Sequence, residues 1–240
     1  MISTVTNVNM GSHNLVKRFM KGIFHKRPCL PRYKVTWDVS IVLNHIKTLD
    51  NASLPLRQLS KKLCALLALT TGQRCQTLHA LEVHNIELTD KCVKLRVDKL
   101  LKQSSISHHL NELYVESYPA NASLCVVVCL KQYLQSTCQL RSDTDSRLFI
   151  TTQKPYKGAT KTTISKWIRE LLRDAGVDIS IFKPHSTRSA STSVAAGKVP
   201  IDTILRTAGW KSDCVFRRHY QRPITNDSSF SHCVLSQASK

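Results

Sequence analysis

Apolar positions along the chain follow two distinct periods. Val39, Val42, Leu43 and Ile46 recur at i, i+3, i+4 and i+7, which predicts an amphipathic helix. Leu56 to Leu69 is apolar on most sides, which predicts a second, buried helix that ends in Thr70, Thr71 and Gly72. Then the period changes. Val93, Leu95 and Val97 alternate with Lys94, Arg96 and Asp98, and a second strand is expected from about Ile106 to Tyr114, making a small antiparallel hairpin. Ser123 to Gln135 predicts an apolar packing helix and Leu148 to Thr151 a brief extended segment. Thr160 to Asp174 places Ile164, Trp167, Ile168, Leu171 and Leu172 on one side of a helix that Gly176 stops. Lys161, Lys166, Arg169 and Arg173 lie elsewhere on it, a cationic side that can rest on DNA.

The last third reads as three short helices. Pro184, Ser186 and Thr187 supply a start, so His185 and Arg188, at i and i+3, share a face near a helix N-terminus, where anions are attracted. After Gly197 and Pro200, the set Ile201, Ile204, Leu205 and Ala208 is helical, and Gly209 closes it. Ser212 then caps a helix that carries Tyr220. These elements add up to an α+β chain, mainly α, with a small antiparallel sheet.

Charge narrows the class of partner. The 240 residues hold 35 Lys and Arg against 16 Asp and Glu, a formal charge of +19, which favours nucleic acid over an anionic membrane surface as partner. No run approaches the length of a membrane span, and MISTVTNVNM lacks an apolar signal core, so an intracellular, soluble protein is expected. The 9 cysteines show no paired CxxC spacing, and neither a metal, a cofactor nor a disulfide framework is suggested. Cys125 and Cys129 read as small core hydrophobes. Between Met1 and Lys34 basic residues accumulate without one acidic residue, and Pro28 and Pro31 mark a linker ending near Trp37.

Candidate chemistry is concentrated in PHSTRSASTSVAAGKVPIDTILRTAGWKSDCVFRRHY, residues 184–220. His185 and Arg188 form a phosphate clamp, and Tyr220, beside Arg217, Arg218 and His219, offers an oxygen nucleophile. Arg74, in TGQRCQTLHAL, follows a buried helix, where an arginine is costly unless it meets an anion. GxxxxGK[ST], HExxH and GxSxG are all absent, so the sequence supports no small-molecule hydrolase chemistry.

The order His-x-x-Arg, Gly-Trp, Tyr resembles the C-terminal signature of the tyrosine recombinases. In RTAGWKSDCVFRRHYQRP, residues 206–223, it is most similar to the catalytic domains of DIRS-type retroelements. The resemblance implies a tyrosine recombinase catalytic domain over residues 35–223, a basic remnant of a DNA-gripping domain and its linker over 1–34, and a tail over 224–240. It also implies DNA cleavage by Tyr220 to a 3'-phosphotyrosyl intermediate, with Arg74 as first catalytic arginine, Arg188 as second, His185 as base and Trp210 at the phosphate site. Self-association on double-stranded DNA and a nuclear location follow from the same resemblance. The catalytic lysine falls in DKLLKQSS, where Lys102 matches best and Lys99 is the rival. One position departs from the pattern: Thr77 stands where an acidic residue often follows the first arginine. Two other readings fit these residues, a DNA-binding module whose catalysis has lapsed and a type IB topoisomerase-like relaxing activity.

Overall fold

The computed structural model describes residues 10–28, 32–102, 104–106, 109, 110, 112–142 and 145–224. Two compact units divide the chain, residues 1–32 and residues 33–240. In the first, a short 3-10 turn leads into α1, Asn14–Lys26, whose N-cap His13 accepts the Leu15 amide at 3.3 Å. Leu15, Phe19 and Ile23 lie on one side of α1 and are exposed, while Lys17, Arg18 and Lys21 occupy the other.

The second unit is built around one helix. Asp38 caps α2, Val39–Lys47, by accepting the Ser40 amide at 2.9 Å, and α2 buries Val42 and Ile46. α3, Leu56–Thr71, is buried on nearly every side between Leu59 and Leu69, polar residues included. It includes Lys62, whose ammonium donates to the Leu49 carbonyl just past α2, and burial depresses the Lys62 pKa. At the rim of α3, Arg57 and Lys61 meet Glu170 at 3.0 and 2.7 Å, tying α3 to α6, Lys161–Asp174. Thr160 caps α6 by accepting the Thr163 amide at 3.1 Å. α5, Val126–Thr137, also packs on α3, and Cys125 and Cys129 are buried. Burial pushes the Cys129 thiol up to about 12.

The sheet is antiparallel and three-stranded, in the order β1 (Ile86–Leu88), β2 (Cys92–Arg96), β3 (Glu112–Glu116). Val93 pairs with Val115 and Leu95 with Leu113, and the buried Val93 and Leu95 bear out the period of two. β1 had no apolar alternation long enough to mark it. The second strand also starts later than Ile106. Residues 107, 108 and 111 lie outside the described residues, and the His109 ring lies 3.0 Å from the Val97 carbonyl and 2.7 Å from the Ser104 hydroxyl. α5 likewise begins at Val126, because an Asn121 turn, with the Leu124 amide on Asn121 Oδ1 at 3.2 Å, uses the residues before it. The expected extended segment at Leu148 to Thr151 is confined to an isolated bridge from Ile150 to Gly158.

α3 stops at Gly72, which adopts the left-handed conformation with φ 60°. A β-carbon there would lie 3.2 Å from the Thr192 methyl group, so conformation and space both favour glycine. Gly72→Ala is therefore expected to cost about 1–2 kcal/mol, measured by urea unfolding.

Candidate active site

Two turns at opposite ends of the sequence carry the candidate residues. Arg74 is the N-cap residue of α4, Cys75–Ala80, immediately after the Gly72 turn, in extended backbone with φ −85° and ψ 157°. Its Nη2 donates to the Tyr220 phenol oxygen at 3.1 Å. Arg188 lies in the first turn of α7, Ser186–Ala195, and is only 1% exposed. Its Nη1 donates to the Gly72 carbonyl at 2.5 Å, so the same turn that presents Arg74 also holds Arg188.

Trp210 and Tyr220 complete the cluster from the C-terminal side. α8, Ile201–Ala208, ends at the left-handed Gly209, with φ 70°, and Trp210 follows, its amide donating to the Leu205 carbonyl at 2.8 Å. The Trp210 ring centre is 4.0 Å from the Arg188 guanidinium carbon and 4.6 Å from the Tyr220 ring centre. Arg188 is also 5.3 Å from the Tyr220 ring centre. Ile204, Ala208, Trp210 and Phe216 make a small separate core against which Tyr220 packs.

Tyr220 sits at the C-cap of α9, Asp213–His219, one step beyond the helix expected to carry it. Ser212 precedes that helix without a capping bond, its hydroxyl lying 3.1 Å from the Cys214 sulfur instead. The backbone of Tyr220 is pinned all the same. Its carbonyl accepts the hydroxyls of Ser189 at 2.5 Å and Ser193 at 3.0 Å, both on α7. Arg222 donates to the Arg218 carbonyl at 2.5 Å and the Tyr33 carbonyl at 2.8 Å, fixing the chain just after the tyrosine.

Electrostatics set this cluster apart from the rest of the molecule. Burial, and then the neighbouring charge of Arg74, push the Arg188 guanidinium down to about 9, with the Tyr220 phenol acting in the opposite sense. Arg188 Nε and Nη2 and the Trp210 indole nitrogen are buried without hydrogen-bond partners. A buried donor left unpaired costs about 1–3 kcal/mol. Three such donors beside a half-buried phenol suit an oxyanion with several oxygens.

The remaining candidates stand differently. His185 precedes α7 in the N-cap position, its ring centre 5.5 Å from that of Tyr33. Lys102 is exposed in the segment between β2 and β3 and, among the described residues, makes no hydrogen bond or ion pair. Lys99 is engaged by Glu82, and this contact holds the Glu82 carboxyl below its usual range. The structure thus joins Arg74, Arg188, Trp210 and Tyr220 directly, and no contact of Lys102 reaches them.

Sequence reasoning did not single out Ser189 and Ser193. Their signal was the i, i+4 spacing of hydroxyls along α7, one turn apart on a helix short of large apolar residues.

A helical domain with a small antiparallel sheet, in which two arginines meet one tyrosine across the fold, is a tyrosine recombinase catalytic domain. The description "Phage integrase family" matches residues 41–226, and the chain belongs to that family. Among solved structures it is similar to XerA recombinase, with a TM-score of 0.58 and 17% identity over 99% of this chain and 79% of that one. XerH site-specific recombinase bound to difH substrate gives a TM-score of 0.59 at 15% identity, over 88% of this chain and 53% of that one. A lambda integrase tetramer bound to a Holliday junction gives 0.51 at 14% identity, over 90% and 59%. The chain thus spans between about half and four-fifths of these proteins. Curated protein sequences give no match. No helix among the described residues is long and apolar enough to cross a membrane.

Proposed function

We propose that this chain cleaves and rejoins DNA during recombination or integration of a mobile element of the DIRS-type retroelement class, through a covalent bond to Tyr220. The observation that carries the proposal is the Arg74 to Tyr220 contact at 3.1 Å beside a buried Arg188 that keeps two unpaired donors. In this reading the Tyr220 oxygen attacks the scissile phosphorus while the bond from phosphorus to the 5' oxygen breaks. His185 takes the phenol proton and Lys102 gives one to the departing 5' oxygen. Arg74, Arg188 and the Trp210 indole hold the non-bridging oxygens, where charge grows in the transition state. The phosphodiester energy is kept in the 3'-phosphotyrosyl bond, so resealing onto another strand needs no nucleotide and no cofactor.

Residues 35–223 act as the catalytic domain, with the basic residues 1–34 along the DNA backbone and residues 224–240 as a tail; 225–240 lie outside the described residues. The similar structures, a recombinase bound to its substrate and a tetramer bound to a Holliday junction, support duplex DNA as substrate and self-association on it as a dimer or tetramer. A nuclear location goes with the retroelement reading.

The test is a nicked suicide duplex that traps the covalent intermediate. A DNA adduct on Tyr220 followed by strand exchange supports recombination. An adduct with relaxation and no exchange supports a topoisomerase-like activity, and no adduct despite tight binding supports a lapsed module. Because Glu82 already engages Lys99, Lys102→Ala is expected to slow adduct formation about 100-fold and Lys99→Ala less than about fivefold. A substrate with a 5'-phosphorothiolate at the scissile bond, whose sulfur leaves without a proton, should restore the rate of Lys102→Ala.

A further inference from the structure

We propose that Gln73, held by Thr77, is a positioning residue that sets the separation between the Arg74 turn and the Trp210 turn. The inference rests on the reading of the site given above and extends it to residues outside the catalytic set. Gln73 is 2% exposed and Thr77 3%. The Gln73 amide nitrogen donates to the Thr207 carbonyl at 2.8 Å, and its amide oxygen accepts the Thr77 hydroxyl at 3.0 Å. Both ends of a buried amide are thus used. Thr77 in turn is fixed in α4, where its own amide donates to the Arg74 carbonyl at 2.9 Å.

These bonds form one continuous strut. It begins on α4, passes through the side chain next to Arg74, and ends in the last turn of α8, three residues before Trp210. A carbonyl in the last turn of a helix has no partner within the helix, so the Gln73 amide satisfies an acceptor that the fold would otherwise leave unmet. Arg74 binds the phenol and Trp210 stacks on both Arg188 and the phenol ring. A change in the length of the strut would therefore shift the two walls of the site against each other. It also accounts for position 77. An acidic side chain there could not donate to the Gln73 oxygen, whereas the threonine hydroxyl can, so residues 73 and 77 work as a matched pair.

The test uses the full chain. Gln73→Leu keeps the volume and removes both polar ends, Thr77→Val removes only the hydroxyl, and Thr77→Ser keeps it. With the suicide duplex, Gln73→Leu and Thr77→Val are expected to form adduct about 30-fold more slowly, with duplex affinity within about twofold of the parent, and Thr77→Ser to recover to within about threefold. Fluorine NMR on 5-fluorotryptophan-labelled protein reads the position without chemistry. The Trp210 resonance, assigned with Trp210→Phe, should shift in Gln73→Leu and Thr77→Val and return in Thr77→Ser, while those of Trp37 and Trp167 stay in place. If the parent forms adduct and the variants match its rate, the strut is overturned and the reading of the site stands. If the parent forms no adduct, that reading fails and the NMR decides alone: an unmoved Trp210 resonance overturns the strut, and a moved one upholds it.

Discussion

Tyr220→Phe is expected to abolish the covalent DNA adduct, lowering its rate of formation by about 10⁴-fold or more, because no other atom in the cluster can take the place of the nucleophile. The substitution isolates chemistry from architecture. The phenyl ring retains the 4.6 Å stack on Trp210, and the Tyr220 carbonyl still accepts Ser189 and Ser193, since neither contact uses the phenol oxygen. The hydrogen bond from Arg74 is lost, a change of about 1 kcal/mol in folding. Duplex affinity should stay within about threefold, since the net charge of +19 is untouched. Adduct formation is followed on a denaturing gel, and the site of attachment by mass spectrometry of the digested complex. An adduct that persists in Tyr220→Phe would transfer the role to another tyrosine, with the exposed Tyr114 and Tyr118 the first to map.

How much of this was legible in the sequence depends on the range of the interaction. α2, α3 and α6 were set by apolar residues repeating at helical spacing over two or more turns, a signal that local context cannot easily override, and they formed within a residue or two of expectation. β3 starts later than expected, at Glu112, and the His109 ring just before it binds the Val97 carbonyl, 12 residues earlier in the chain, a bond that no periodicity reports. The pairing of Arg74 with Tyr220 spans 146 positions and that of Arg188 with Gly72 spans 116. Residue types and their order marked these side chains as candidates, but only the packing of α7 against α3 brings them together. Gln73 was invisible for a further reason. A glutamine between glycine and arginine reads as ordinary loop chemistry until Thr207, from a different helix, is placed opposite it. Lys102 shows the opposite case, a residue singled out by motif alone that the folded chain leaves exposed.

Arg188→Met is expected to lower cleavage about 10³-fold while leaving the fold as stable as the parent or slightly more so, a combination that a packing residue would not give. Burial, and then the charge of Arg74, mean that the folded chain disfavours the Arg188 cation relative to water. Against that, the substitution removes the bond to the Gly72 carbonyl, about 2 kcal/mol, and the stack on Trp210, about 1–2 kcal/mol. Methionine fills the space without a charge, so the losses and the relief of the buried cation offset each other. The sign with pH follows from the protons bound. Below pH 9 both native and unfolded chains carry the Arg188 proton and the penalty is complete. As pH rises through about 9 the native chain sheds its proton before the unfolded chain does, so the parent gains stability relative to Arg188→Met and the gap between them narrows. At neutral pH an oxyanion does the same work by supplying the missing counter-charge. Inorganic phosphate should therefore raise the unfolding midpoint of the parent and leave that of Arg188→Met unchanged. If the variant instead unfolds more than about 2 kcal/mol more readily, and phosphate shifts both proteins alike, then Arg188 holds the Gly72 turn together and the phosphate-binding role passes to Arg74 alone.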